Sequence, residues 1–336
     1  MKPKSVVAKR NPPDISEVID LERLTRRDAL ALLAAPALAG LTGTLTAGAQ
    51  TTPVRIAGGT IDVTASGYYA LDGGFFNRVG LNADLVSVAN GAAAAAAITA
   101  GDLDFGCINI VALASAHENG LPFVWAAPGG AYSSQSPTAA MVVAKTSSIR
   151  TAKDLEGKTV AVVLLKQLAD IALHSWLDKN GVNAASIRYI EMPYSAMDAA
   201  LLAGRIDAAC IEEPVLSQTL AGNGRLLANG YDAIAPQFCE AAWVCSASFA
   251  KANPDVIKKF GDAIAMTADW ANKNRPLTDK ILEKYGKTTL PPGMHRCVFP
   301  QRMRASDFQP VIDASVKYGV IKMPFRAADM FAPGVA

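Results

Sequence analysis

The sequence predicts an α/β protein made of two similar lobes, and three observations carry that prediction. Ile98-Thr99-Ala100-Gly101-Asp102-Leu103-Asp104-Phe105-Gly106-Cys107 returns 103 positions later, without a gap, as Leu201-Leu202-Ala203-Gly204-Arg205-Ile206-Asp207-Ala208-Ala209-Cys210. A weaker echo lies upstream, where Val54-Arg55-Ile56 and a stretch ending at Gly80-Leu81 answer Val160-Ala161-Val162 and Gly181-Val182. Each copy alternates short apolar strands with helical stretches over short connections, the pattern of a lobe with a mainly parallel sheet. The period is far too long for a solenoid, so two homologous lobes are the reading, with chance recurrence in an Ala-rich chain as the alternative.

The elements follow in order. Residues 54–57 read as a strand, left through Gly58-Gly59-Thr60-Ile61-Asp62. A helix is expected from Ser66 to Phe76, ended by Gly80, and a strand from Asp84 to Val88. Gly91 and the alanines behind it start a helix that Gly101 stops, since glycine takes the left-handed backbone that closes a helix. Strands are expected over 104–108 and 123–127, with a helix from Val111 to His117 between them. From Gly129 to Pro137 the texture turns small and polar, which fits a crossing between lobes. The second lobe opens with Ala140 to Ala144 and runs through strands near 159–163, 187–191 and 207–211. Ala241 to Ser246 is read as the return crossing. Helices follow from Pro254 to Asn272, Leu277 to Tyr285 and Asp307 to Tyr318, with Pro254 suited to a first helical position. Residues 50–135 and 245–336 are assigned to lobe one with its C-terminal helices, and 136–244 to lobe two. Two crossings allow hinge closure around a ligand.

The first 49 residues read as an export signal. Arg26-Arg27 precede an uncharged run from Ala29 to Leu45, and Ala47-Gly48-Ala49 supplies small residues for cleavage. The run is short for a membrane span and contains Pro36. The paired arginines point to the twin-arginine route, although Ala29 and Ala31 stand where that signal carries Phe and Lys, which keeps the Sec route open. A soluble, periplasmic mature chain is expected.

Residues 1–49 hold 7 of the 32 Lys/Arg and 5 of the 30 Asp/Glu, leaving 25 of each and no net charge. No basic patch or run is visible, which argues against nucleic acid as a partner. The five cysteines, 107, 210, 239, 245 and 297, lack the clustered spacing of a zinc site, and only three histidines occur. No metal or cofactor is therefore expected. Cys239 and Cys245 flank an apolar run and are a candidate disulfide, the odd count leaving at least one thiol free.

An exported chain with Ala-Gly-Asp-Leu-Asp-Phe-Gly from Ala100, Ala-Gly-Arg-Ile-Asp-Ala from Ala203 and Glu213-Pro214 just after resembles a known family. Lys153-Asp154-Leu155-Glu156-Gly157-Lys158 ahead of a second-lobe strand adds to it. The resemblance, over about residues 53–330, is to the substrate-binding components of ABC importers for nitrate, sulfonates, taurine and pyrimidines, the NMT1/THI5-like group. It implies a type II periplasmic binding-protein fold, a small-molecule ligand held between the lobes, and delivery to a permease in the inner membrane. A monomer is expected.

Ligands of open α/β sheets sit beyond the C-terminal strand ends, near helix N-termini that favour anions. In lobe one this selects Gly59 and Thr60, with a plain strand–helix turn as the alternative, and Asn109, which can equally cap the next helix. Ser133, Ser134 and Gln135 offer hydrogen bonds near the crossing or simply solvate a loop. In lobe two Lys166 and Gln167 follow the first strand, Lys166 being either an anion partner or a solvated surface lysine. Tyr194 follows the next strand and can reach the cleft. Glu212 and Glu213 end the repeated strand, and the family resemblance implies that the acidic residue before the proline, Glu213, faces the ligand; the alternative is a hinge or capping role. Trp243 is an aromatic wall for the ligand or a core residue. The mixed charges fit a small organic molecule at least as well as an inorganic anion.

Enzymes share this fold, among them a desulfinase with a Cys nucleophile and pyrimidine synthases with a Cys cluster. Cys107 shows neither an adjacent base nor an Arg-x-Gly-Gly partner in the sequence, and no Cys cluster occurs. The expectation is therefore a receptor that closes on its ligand, not an enzyme. A periplasmic sensor is the other alternative.

Overall fold

The computed structural model describes residues 51–88 and 91–334. The export signal read over residues 1–49 lies outside them. The chain begins with β1 (Thr52–Gly58), α1 (Ser66–Asp72), α2 (Phe75–Arg78), β2 (Leu81–Ser87), α3 (Gly91–Ala100), β3 (Phe105–Asn109), α4 (Ile110–Glu118) and β4 (Phe123–Pro128). The helix expected over 66–76 is broken in two because Gly74 adopts a left-handed φ of 68° between the halves. A short β5 (Ala131–Ser133) leads into β6 (Ala139–Ala144), β7 (Thr159–Val162), α5 (Leu168–Lys179), β8 (Arg188–Glu191), α6 (Tyr194–Leu202), β9 (Ala208–Glu212), α7 (Val215–Ala221) and β10 (Gly224–Ala228). The chain returns through β11 (Gln237–Cys239) to β12 (Ala241–Ser246), then α8 (Ala247–Ala252), α9 (Pro254–Lys273), α10 (Arg275–Gly286) and α11 (Ala305–Lys317).

Two five-stranded sheets result, ordered β2-β1-β3-β12-β4 and β8-β7-β9-β6-β10. They repeat each other strand for strand. In each, the first strand pairs parallel with two neighbours, and the fourth strand, β12 or β6, runs antiparallel beside the repeated one. Cys107 faces Trp243 in register, as Cys210 faces Met141. Phe105 pairs with Ile56 and Ala208 with Val160, so the sheets align Ile56, not Val54, with Val160.

The repeated motif has a physical explanation. Gly101 and Gly204 take φ values of 81° and 65°, backbone that an L side chain resists by roughly 1–2 kcal/mol. Two residues later the repeated apolar side chains, Leu103 and Ile206, are buried. The carboxylates then pin equivalent strands together. Asp104 accepts from the Arg55 backbone N–H at 2.7 Å, and Asp207 from that of Thr159 at 2.8 Å. The motif is a joint between helix and sheet, and its conserved spacing within the chain serves the fold.

The stretch 241–246, expected as the return crossing, is instead the fourth strand of the first sheet, between β3 and β4. Its uninterrupted apolar run suits a strand buried on both faces. The crossings are β5 and β11, which pair antiparallel as a separate two-stranded ribbon. All five cysteines are free and buried, so Cys239 and Cys245 do not pair.

Aromatic packing dominates the first lobe, where Phe105 stacks on Phe260 at 3.9 Å with Trp243 and Phe76 alongside. Each such fully buried ring contributes about 1.5–3 kcal/mol. Lobe two is aliphatic, built on Val142, Ala161, Leu201, Ile211 and Met197. A third cluster passes from Trp125 through Tyr132, Tyr231 and Phe238 to Phe308 of α11. That helix packs on α4 of one lobe, on β11 and on α5 of the other.

Candidate functional site

A cleft opens where the two sheets' strand ends meet the crossings. One part is lined by Ile61, Asp62 and Val63 after β1, Thr138 before β6, Glu212 and Glu213 at the end of β9, and Glu240 before β12. It adjoins a chamber of about 160 Å³ lined by Thr60, Ile61, Asp62, Glu213 and Pro214, closed by Leu282, Gly286, Thr288, Leu290 and Met294 from α10 and the segment behind it. Ile61 is half exposed there, at 51%.

Four carboxylates meet in this small volume, and they differ in how they are compensated. Asp62 is tied to the Arg296 guanidinium, with oxygens 2.8 and 2.9 Å from its nitrogens. Tyr69 donates to it at 3.1 Å and the Cys297 backbone N–H at 2.9 Å. Burial works to raise the Asp62 carboxyl, but the Arg296 pairing outweighs it and leaves Asp62 below the usual carboxylate range. Arg296 also meets Asp279, so its charge is fully engaged.

Glu212 accepts from the Tyr231 hydroxyl at 2.6 Å and lies within reach of Tyr194. Burial raises its carboxyl, and the two tyrosines oppose that shift. Glu240 is only 5% exposed and is pushed well above the ordinary range, first by burial and then by Glu212. The sole described hydrogen bond to its carboxyl group comes from the Thr138 hydroxyl at 3.4 Å. Glu213 precedes a cis bond to Pro214 and accepts from the Ser217 amide and hydroxyl, at 3.0 and 2.7 Å, so it caps the turn entering α7. It also accepts from the His295 backbone N–H at 3.2 Å, joining lobe two to the C-terminal segment.

The sequence profile of the family described as NMT1/THI5 like matches residues 63–276. The chain belongs to the NMT1/THI5-like family. Its fold is the type II periplasmic binding-protein fold. The periplasmic aliphatic sulphonate binding protein SsuA from Escherichia coli is 17% identical with a TM-score of 0.70, over 84% of this chain and 98% of that one. The periplasmic nitrate-binding protein NrtA from Synechocystis PCC 6803 is 16% identical with a TM-score of 0.62, over 81% and 82%. The desulfurization enzyme DSZB, 13% identical, gives a TM-score of 0.64 over 84% and 97%. No curated protein sequence matches the chain.

In this NMT1/THI5-like protein Thr60 and Glu213 line the cleft, and Tyr194 touches it through Glu212. Gly59 precedes Thr60, and a Cβ there would meet the Thr64 hydroxyl at 2.3 Å, so its bareness serves the turn. Asn109 caps α4, accepting from the Ala112 N–H at 2.8 Å. Ser133 is buried in β5, and its hydroxyl accepts from the Gln135 amide. Ser134 binds Asp232, and Gln135 is exposed. Lys166 has an exposed side chain and a φ of 58°, its own N–H donating to Asp170, while Gln167 stands at the start of α5; neither lines the cleft. Trp243 is fully buried, its indole N–H donating to Ser66 at 2.9 Å. Sheet register matches Asn109 with Glu212, since these pair with Ala241 and Ala139 at equivalent places.

Sequence reasoning passed over Asp62, Thr138, Glu240 and Arg296. Asp62 stood in the loop already selected after β1. Glu240 carried a usable signal, a lone acid before an apolar strand. Arg296 is brought in by a segment more than 200 residues away, for which spacing gives no clue.

Proposed function

We propose that this chain is a periplasmic receptor of an ABC importer, which closes two lobes on a small solute and presents the closed form to a membrane permease. The observation that carries this reading is the cleft between two matched sheets joined through the paired crossings β5 and β11. Short crossings between otherwise separate sheets are the usual place for hinge motion. The ligand contacts we assign are Thr60, Ile61, Asp62, Thr138, Glu212, Glu213 and Glu240. Among the described residues no helix is long and apolar enough to cross a membrane, which fits a receptor that meets its permease from outside.

An enzyme on the same fold is the second reading, carried by the likeness to DSZB. Nucleophilic chemistry at cysteine needs a thiolate. Burial pushes all four thiols at Cys107, Cys210, Cys239 and Cys297 up, and Cys245 to about 12, which favours the receptor.

A thermal-shift screen of the chain from Gln50 onward tests the proposal, with alkylsulfonates, taurine, nitrate, aromatic acids, pyrimidines and flavins. A solute that binds only the native state adds about 2.7 kcal/mol at a hundredfold excess over its Kd. A shift with one chemical class, without turnover of the solute, is expected. Chemical conversion of the bound solute would instead establish the enzyme.

A further inference from the structure

The cleft holds more acidic side chains than its own cations pair, and the unpaired ones have a definite place. Arg296 answers Asp62 and Asp279. Glu212, Glu213 and Glu240 have no ion-pair partner among the described residues, and no lysine or arginine lines either part of the cleft. Glu212 and Glu213 are at least well supplied with hydrogen bonds. Glu240 is not. It is 5% exposed, its Oε1 receives one long bond of 3.4 Å from Thr138, and its Oε2 receives none among the described residues. Glu240 lines the cleft, so an oxygen there without a protein donor is open to accept from a bound solute. The adjoining chamber is mainly apolar, walled by Ile61, Pro214, Leu282, Leu290 and Met294, with Thr60, Asp62, Glu213 and Thr288 at its polar side. Its volume of about 160 Å³ is that of a cavity able to admit one benzene-sized ring.

Resting on the receptor reading above, we infer that the solute is a compact organic cation bearing N–H donors, its charged end against Glu240 and Glu213 and an apolar body of about one ring in the chamber beside Leu282, Leu290 and Met294. A sulfonate or nitrate would meet three acidic side chains without an ion-pair partner and no free cation. The donors of an amidinium or ammonium group supply what Glu240 lacks, and charge-assisted bonds of this kind are the strong ones.

Titration calorimetry with four one-ring probes tests this: benzamidine and benzylamine as cations, benzamide as the neutral match, and benzenesulfonate as the anion. Both cations are expected to bind the wild-type chain and benzenesulfonate to give no heat. Glu240→Gln is expected to weaken benzamidine roughly tenfold, about 1.4 kcal/mol, with benzamide unaffected. A melting curve of the variant at least as high as wild type establishes that the loss is not unfolding. Benzenesulfonate binding as tightly as benzamidine, or a benzamidine affinity indifferent to Glu240→Gln, would overturn the inference while leaving a receptor for anions or neutral solutes. Silence from both cations overturns it as well, and the wider solute panel then decides the receptor reading separately.

Discussion

The two lobes share a backbone plan and differ in what they present to the cleft. At the end of the repeated strand lobe one carries Asn109, a neutral amide that caps α4, and lobe two carries Glu212, a carboxylate held by tyrosines. The acid that lobe one does contribute, Asp62, comes with its own guanidinium from the C-terminal segment. Lobe one therefore presents a settled wall to the cleft and lobe two, with Glu240 from the link between β11 and β12, an unsettled one. The repeat preserves the joints between helix and sheet, while chemistry is written in the residues just past them.

The sharpest way to break the settled wall is Arg296→Met. It leaves Asp62 buried without its cation, and a loss of about 3–5 kcal/mol in urea unfolding is expected. A loss under 1 kcal/mol would mean that Asp62 is not held by that pair.

The unsettled wall predicts the opposite sign. Burial raises the Glu240 carboxyl, so its cost to the native state is absent below the unfolded value, near 4.3, and grows as pH climbs from there toward the raised native value. Glu240→Gln should accordingly raise the melting midpoint at pH 7, by about 1–3 kcal/mol in stability, and the gain should fade toward pH 4. A variant less stable than wild type at pH 7 would place Glu240 among the structural residues.

The smallest effect checks the shared plan itself. Gly101→Ala and Gly204→Ala should each cost about 1–2 kcal/mol, and by similar amounts, because both glycines occupy left-handed backbone with nothing within 4 Å of a new Cβ. Unequal losses would show that the two copies of the motif bear different loads.

Much of the fold was legible because it is local. The Gly stops, the buried strands and the repeated Asp follow from propensity and spacing, and the 103-residue echo exposed the two lobes. The mistaken return crossing has a clear cause. Ala241 to Ser246 is apolar enough for either role, and only its pairing with β3 and β4 decides it. The cleft was legible as a set of loops rather than as side chains. Thr60 and Glu213 sit on strand ends, where topology alone selects them. Lys166 and Trp243 lie in equally good sequence positions, but one points to solvent and the other into the core. Nothing in a linear pattern tells the direction of a side chain beyond a turn, or that residue 296 returns to residue 62.

The position of β12 also bears on how the chain acquires its structure. All five strands of lobe two lie within one continuous stretch, from Ala139 to Ala228, and nothing later in the chain is needed to complete that sheet. Lobe one is different, because β3 and β4 are separated by a gap that only residues 241–246 fill. A chain growing from its N-terminus thus exposes two unpaired strand edges in its first lobe until more than a hundred further residues have emerged. Its second half has everything it needs to form first, and its first half closes last.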